Sequence, residues 1–598
     1  MKRVVGIIAT MAVLAVGALG AEGATAGASV PQAQQVPKAG QAGAAGVAGV
    51  AELTAPQVEW GACPKDAESD SGTAETKAPE TGAATGAETG AETGAEKAPK
   101  QAPGGGAEKA PGKATAAEPA SPGVECASVR VPLDYRDPWG QTVKIALNRV
   151  KGSASRDHNH LGSLLVNPGG PGASGRDLAE YVAAVLPEKL AARYDIVGFD
   201  PRGVGASEPA ITCVEAARFY APPRPDAVPR TQGDESVLVS RAREYAARCG
   251  NLWAWFLPHV NTENAARDMD MIRAALGEPR ISFLGYSYGT YLGAAYATFF
   301  PDKVKRLVLD SAVDPRGIWY RANLAQDRGF ERRHRAFLGW TAEHNQVYRL
   351  GRTLKQTEFA WYAMRSRLRE RPAGGVVGPS ELDDLFTVGG YTDAVWPRLA
   401  QAWSRYVRKG EAKALTQAWK EYGEQDTEDE NGYAVYLSVQ CRDAVWPRSW
   451  SVWRADMIRL HRMAPFMTWP NAWYNAPCAF WSVPGGTPPR IQGSDELPPI
   501  LMMQAKDDAA TPYAGSLNMR GLFPTARMVV VPGGNHGVSL AGNRCADRHL
   551  AAYLTDGSVP RSTVFCEAAA SPRATTRMAA ERRSGGQSQE RLTELISR

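Results

Sequence analysis

The chain predicts an α/β fold in which a mostly parallel eight-stranded sheet carries helices on both faces and a largely helical cap between strands six and seven. Three observations predict it. Apolar runs of strand length recur at 129–133, 143–148, 163–166, 194–199, 281–284, 304–309, 500–504 and 528–531, and turn residues close each run from the third onward. Helical or inserted segments separate the last six runs, as parallel strands joined by crossovers require, while the first two are close enough to pair as an antiparallel hairpin. Finally, Gly285-Tyr286-Ser287-Tyr288-Gly289 lies between the run at 281–284 and the small-residue helical stretch Tyr291-Leu292-Gly293-Ala294-Ala295-Tyr296.

In open parallel sheets ligands bind outside the carboxyl ends of the strands, so the loops that follow strands are where chemistry belongs. Ser287 follows the fifth. A serine on a sharp strand-to-helix turn is held in a strained conformation that only small neighbours permit, and its hydroxyl stands exposed as a nucleophile. After the third strand comes Asn167-Pro168-Gly169-Gly170-Pro171-Gly172. Its glycines let the backbone approach a ligand with amides pointing at it, which makes Gly170 (or Gly169), with the amide of Tyr288, a candidate oxyanion hole. Asp200 and Arg202, after the fourth strand, fit bracing rather than chemistry.

A serine nucleophile needs a base, and the base an anion to fix its tautomer. Lys506-Asp507-Asp508-Ala509-Ala510-Thr511-Pro512 follows the seventh strand, and Gly533-Gly534-Asn535-His536-Gly537 the eighth. Of eight histidines, only His536 follows a late strand in a glycine-rich loop. Asp508 is preferred to its rival Asp507 because it leads into the Thr-Pro turn. The order Ser287, Asp508, His536 is that of a hydrolase whose nucleophile sits on such an elbow.

Composition narrows the function classes. The 598 residues carry a formal charge of only +5, which points to neither nucleic acid nor an acidic membrane surface as partner. Met1-Lys2-Arg3, the apolar run at 4–19 and the small residues at 24–28 read as a secretory signal over 1–28. That run is shorter than the roughly 20 apolar residues of a spanning helix, and no stable membrane insertion is expected. Eight cysteines without close CxxC pairs favour disulfides in an exported chain over a metal site. Nearest-neighbour pairing keeps each loop local: 63 with 126, 213 with 249, 441 with 478, 545 with 566.

Residues 65–123, with the tandem Thr-Gly-Ala-Glu at 85, 89 and 93 and no aromatic residue, cannot bury enough apolar surface to fold and read as a disordered spacer or wall-proximal tether. The core then falls into 124–315 and 493–568, the cap into 316–492, and 569–598 reads as a disordered tail. The cap holds 12 of the 16 tryptophans, more fitting as its own packing than as substrate contacts.

Taken together, Val131-Pro132-Leu133-Asp134-Tyr135, Asn167-Pro168-Gly169-Gly170-Pro171-Gly172, Gly198-Phe199-Asp200-Pro201-Arg202-Gly203, Gly285-Tyr286-Ser287-Tyr288-Gly289-Thr290, Leu309-Asp310, Asp508-Ala509-Ala510-Thr511-Pro512 and Gly534-Asn535-His536-Gly537 resemble the secreted actinomycete-type tripeptidyl aminopeptidases, relatives of proline iminopeptidase in the α/β-hydrolase superfamily. The resemblance implies a serine peptidase with an α/β-hydrolase fold, no metal or cofactor, and peptides with free N-termini as substrates. The long insert departs from the family pattern. Such an enzyme must bind an α-ammonium group, for which a carboxylate in a partly desolvated pocket is the natural partner. The cap offers Glu331 and Asp443. The same triad serves a carboxylesterase, and an idle fold used as a secreted binding module is the remaining alternative.

Overall fold

The computed structural model describes residues 57–64, 123–154, 159–575 and 584–597; the expected leader over 1–28 and nearly all of the 65–123 insert lie outside them. Among the described residues one sheet contains β1 (Gly61–Ala62), β2 (Val124–Pro132), β3 (Thr142–Val150), β4 (Ser163–Asn167), β5 (Asp195–Phe199), β6 (Ile281–Tyr286), β7 (Val304–Asp310), β8 (Ile500–Ala505), β9 (Ala526–Val531) and β10 (Val564–Phe565). Their order is β1-β2-β3-β5-β4-β6-β7-β8-β9-β10. From β5 through β10 every neighbour pairs in parallel, whereas β1, β2 and β3 run antiparallel to theirs. β2 to β9 are the eight expected strands. The extra two are two-residue strands, too short to show a periodicity; each lies beside a disulfide, Cys63–Cys126 at β1 and Cys545–Cys566 at β10. Cys213–Cys249 and Cys441–Cys478 complete the expected nearest-neighbour pattern.

Alternation along the strands sends side chains to two cores. Leu165 of β4 and Phe283 of β6 join one core, with helices Thr262–Ala275 and Tyr288–Phe299. Leu164, Val166, Leu284 and Tyr286 join the other, with helices Gly175–Val185 and Arg544–Asp556. The chain runs from β4 outward to β5 and then back across to β6, so the strand order reverses between β4 and β6. A crevice opens at such a reversal. The Gly169-Gly170 loop follows β4 and Ser287 follows β6, one on each side of it.

Between β7 and β8 the described chain forms ten helices, from Tyr320–Glu343 to Pro477–Phe480. They hold a core of their own in which Phe337, Trp361 and Trp403 are buried, and Ala509 and Ala510 of the loop after β8 belong to it. The helical layer is therefore seated on the loop that carries Asp508.

The tail differs from expectation. Ser584–Ile596 is a helix, with Leu592, Leu595 and Ile596 buried in the second core. Spaced i, i+3, i+4, these three make one apolar stripe, too small for a core of its own but sufficient to dock on an existing one. No helix among the described residues is long and apolar enough to cross a membrane.

Beneath the site, Arg202 is buried with every donor group engaged. It holds Asp268 through two bonds of 2.7 and 2.6 Å and the carbonyls of Pro132, Leu133 and His259 at 3.0–3.1 Å. Asp200 accepts from the Ser174 hydroxyl at 2.6 Å and the Ala206 amide at 2.9 Å. Both residues brace. Asp268→Ala would leave the guanidinium buried without its counter-ion, and we expect a loss of about 3–5 kcal/mol in urea unfolding. A loss below about 1 kcal/mol would show that the pair is not a structural anchor.

Candidate active site

Ser287 adopts φ 52°, ψ −123° between β6 and the helix Tyr288–Phe299, a region costly for a side chain and tolerated where the surroundings enforce it. The sequence enforces it through close packing. A Cβ at Gly289 would stand 2.8 Å from the Asn167 carbonyl oxygen, and one at Gly169 2.7 Å from that of Tyr286 and 3.0 Å from the Tyr288 nitrogen. The glycine loop after β4 is thus pressed against the serine turn, with the Tyr288 amide between them. Helix geometry leaves that amide without an intrahelical acceptor.

His536 lies in the loop after β9. Its Nδ1 is 2.9 and 3.1 Å from the two oxygens of Asp508, which also accept from the Thr511 amide at 3.0 Å, the Thr511 hydroxyl at 3.0 Å and Gln504 at 3.4 Å. The His536 amide donates to the Tyr391 carbonyl at 2.8 Å, and the Tyr391 ring meets the imidazole edge-on at 5.6 Å. Asp508 and His536 are both fully buried, whereas Asp507 is exposed. Geometry therefore joins Asp508, not Asp507, to the histidine. His536 Nε2 is buried and unpartnered, so the structure does not close a hydrogen bond between Ser287 and His536. Contacts of this kind are often long before substrate binds.

Asp310, at the end of β7, ties the two loops together. Its carbonyl accepts the Ser287 amide at 3.0 Å. Its carboxylate accepts the Val538 amide at 3.1 Å, the Ser539 amide at 2.7 Å and the Ser539 hydroxyl at 2.5 Å. Next to it, Ser311 accepts the Gly537 amide at 2.9 Å. Burial pushes the Asp310 carboxyl up to about 6.

Ser287, Gly170 and Tyr288 line a cavity of about 900 Å³, within the range of specific ligand sites. Its roof is the cap helix Thr427–Asp443. A Cβ at Gly172 would lie 2.2 Å from the Gly432 carbonyl, so this helix rests on the glycine loop, and Tyr436 and Gln440, one and two turns further on, face the same cavity. Asn323 and Asn471 line it as well. Gln440 Oε1 is buried and unpartnered, an open acceptor of the kind a peptide backbone satisfies.

The two acidic residues expected to meet a substrate N-terminus do not line this cavity. Asp443 is buried one turn beyond Gln440, where it accepts from the Thr262 amide at 2.8 Å, the Thr262 hydroxyl at 2.6 Å and Trp319 Nε1 at 3.2 Å. Thr262 in turn meets the Tyr288 hydroxyl at 2.8 Å. Asp443 positions Tyr288 and Trp319. Glu331 is buried within the cap and accepts the Phe466 amide at 3.1 Å, while Asn323, Gln326 and Phe330 of the same helix line the cavity. Helical spacing alone did not tell which face of these helices turns toward the core. Other carboxylates do line the wall: Asp384, Glu421, Glu424, Glu428 and Asp429 from the cap, Glu590 and Glu594 from the C-terminal helix, Asp177 and Asp314 from the core. Nine acidic side chains face one basic residue, Arg591. Arg224 pairs with Asp384, Arg398 bridges Glu421 and Glu590, and Arg591 pairs with Glu594, yet among the described residues carboxylates still outnumber these guanidinium groups.

Asp327 lies behind this wall, with Asn471 Nδ2 donating to it at 2.8 Å. Burial pushes its carboxyl up to about 7 from an ordinary 3.8. The folded chain holds this proton more tightly than the unfolded chain, so the contribution to stability is full below about pH 4 and is lost as pH rises through about 7. Asp327→Asn keeps the acceptor but cannot ionise. Its urea midpoint should fall less steeply between pH 4 and pH 8 than that of the parent; equal slopes would contradict the assignment.

A profile of the alpha/beta hydrolase fold matches residues 162–542. The chain is 42% identical to a tripeptidyl aminopeptidase of Streptomyces coelicolor over 75% of its own length and 84% of that protein's. It is 31% identical to the serine protease Hip1 of Mycobacterium tuberculosis over 74% of this chain and 87% of the relative, and 32% identical to carboxylesterase B of the same species over 74% and 86%. With the sheet order, the serine elbow and the inserted helical layer, these matches show that the chain belongs to the α/β-hydrolase fold family, among serine hydrolases related to tripeptidyl aminopeptidases.

Proposed function

We propose that the protein is an exported serine exopeptidase that releases short peptides, tripeptides above all, from free N-termini. One observation carries the choice of substrate: the cavity holding Ser287 is lined by nine carboxylates and one guanidinium. A free peptide amine is cationic, and a concave wall on which carboxylates outnumber guanidinium groups attracts it; an uncharged ester gains nothing from such a wall. The name of the Streptomyces coelicolor relative supports the same reading, and four disulfides support export.

The chemistry is acyl transfer. His536 Nε2 removes the proton from Ser287 Oγ as the oxygen adds to the scissile carbonyl. The amides of Gly170 and Tyr288 take the negative charge that develops on the carbonyl oxygen. When the C–N bond breaks, His536 returns the proton to the leaving amine, and the released peptide remains as an ester on Ser287. Water, activated by the same imidazole, then hydrolyses the ester and restores the hydroxyl. Asp508 holds the Nδ1–H tautomer throughout and stabilises the imidazolium.

Chromogenic mono-, di- and tripeptide amides, each free and N-acetylated, test this. Free tripeptide amides should be cleaved and acetylated ones resisted. Ser287→Ala should lower kcat by about 10⁶-fold and Asp508→Asn by about 10⁴-fold, both with the unfolding midpoint preserved. Turnover of simple esters alone would move the assignment to a carboxylesterase, and a fully active Ser287→Ala would remove the serine from the mechanism.

A further inference from the structure

The described chain ends in a helix that reaches the reaction chamber. Glu590, Arg591, Glu594, Leu595, Ile596 and Ser597 line the same cavity as Ser287. The helix is fastened on both sides of the opening. Toward the core, Gln589 Nε2 donates to the carbonyls of His536 at 3.3 Å and Gly537 at 3.4 Å, and the Tyr181 hydroxyl stands 2.9 Å from the Ser588 carbonyl. Leu592 and Ile596 press on the same loop, within 3.1 and 2.6 Å of where a Cβ at Gly537 would stand. Toward the cap, Arg398 and Tyr422 meet Glu590 at 2.9 and 3.1 Å.

With the helix in place the cavity still measures about 900 Å³, near the top of the range for ligand sites. The helix therefore bounds the chamber rather than filling it. A segment plugging the site would have removed that space and masked the serine, yet Ser287 remains half-buried and on the cavity wall.

We propose that the C-terminal helix is a specificity wall: by joining cap to core beside His536 it closes one side of the substrate chamber and limits how many residues fit between the scissile bond and the substrate N-terminus. This rests on the exopeptidase reading above. Three extended residues span about 10 Å, so a fixed wall discriminates sharply between a segment that fits and one a residue longer, since the longer one must leave its ammonium or a side chain in steric conflict. Glu590 is already paired with Arg398 and Glu594 with Arg591, so the helix acts on chain length through its bulk and position.

The test compares three variants with the full chain on free di-, tri-, tetra- and pentapeptide amides, with Ser287 counted by a fluorophosphonate. Ending the chain after Thr575 removes the wall. Leu592→Asp places a charge in the docking stripe and undocks the helix without shortening the chain. Ser597→Trp adds bulk to the wall while leaving the stripe intact. We expect the first two to raise kcat/KM for tetra- and pentapeptide amides about tenfold relative to the tripeptide amide, and Ser597→Trp to shift preference toward dipeptide amides. An unchanged length profile in correctly folded, fully labelled variants overturns the proposal; a uniform rise at every length would instead make the helix an autoinhibitory plug. Should the full chain react with the fluorophosphonate but cleave no peptide amide, it is the peptidase reading that fails, and the wall is then read from acyl-chain length preference on p-nitrophenyl esters. Should truncation prevent folding, Leu592→Asp and Ser597→Trp carry the test with opposite expected signs.

Discussion

The site depends on one buried carboxylate. Ser287 and His536 are separated by 249 positions and reach the crevice on different strands, so something must fix the distance between their loops. Asp310 does so with both ends of the residue: its carbonyl holds the amide of the serine, and its side chain holds the loop that follows the histidine. No exposed contact would serve, because a hydrogen bond in competition with water fixes geometry poorly. Here Asp310 is fully buried at the end of β7, and it accepts from three backbone amides and the Ser539 hydroxyl.

Around this brace the molecule divides its tasks. The parallel sheet aims four loops at one crevice, those after β4, β6, β8 and β9, the glycine loop after β4 packs against the serine turn without intervening side chains, and the cap supplies a roof. That roof is attached by backbone-to-backbone approach at Gly172 and Gly432 and by the Asp443–Thr262–Tyr288 chain of hydrogen bonds. Movement of the helix Thr427–Asp443 therefore acts directly on the residue next to the nucleophile. The acidic lining belongs mainly to the cap and the C-terminal helix, so the parts we propose to select substrate charge and size differ from the loops that carry the candidate triad. Relatives named as peptidases and as a carboxylesterase fit such a division, since one catalytic base plan serves either bond and the enclosing walls decide.

Much of this was legible in the chain. Strand-length apolar runs give the central sheet, because burial on both faces leaves continuous apolar segments, and Ser287 and His536 stand beside glycines, Gly289 and Gly534 among them, at which a Cβ would meet backbone within 3 Å. Asp508 was separable from Asp507 by the Thr-Pro turn, which in the structure delivers the Thr511 amide and hydroxyl to the carboxylate. What sequence could not supply was the facing of long amphipathic cap helices. Glu331 and Asp443 look like pocket acids, yet both are turned inward to satisfy amides, while Gln440, one turn before Asp443, reaches the cavity. Asn431-Gly432 inside a helical run was the available signal, since an interior glycine marks a close backbone approach. The C-terminal helix was missed for another reason: three apolar residues in a charged tail are too few to form a core alone, and only the tertiary surface they dock on makes them count.

The most direct measurement of the brace is single-turnover acylation of Ser287 by an activated tripeptide ester in Asp310→Asn, beside the parent and with the unfolding midpoint recorded. An amide retains one acceptor oxygen but loses the second, so the loop after His536 should shift while the fold persists. Acylation should slow on the order of 10²-fold, the effect of misplacing a catalytic group by about 1 Å. Acylation at the parental rate in a folded variant would show that the two loops keep their registration without Asp310.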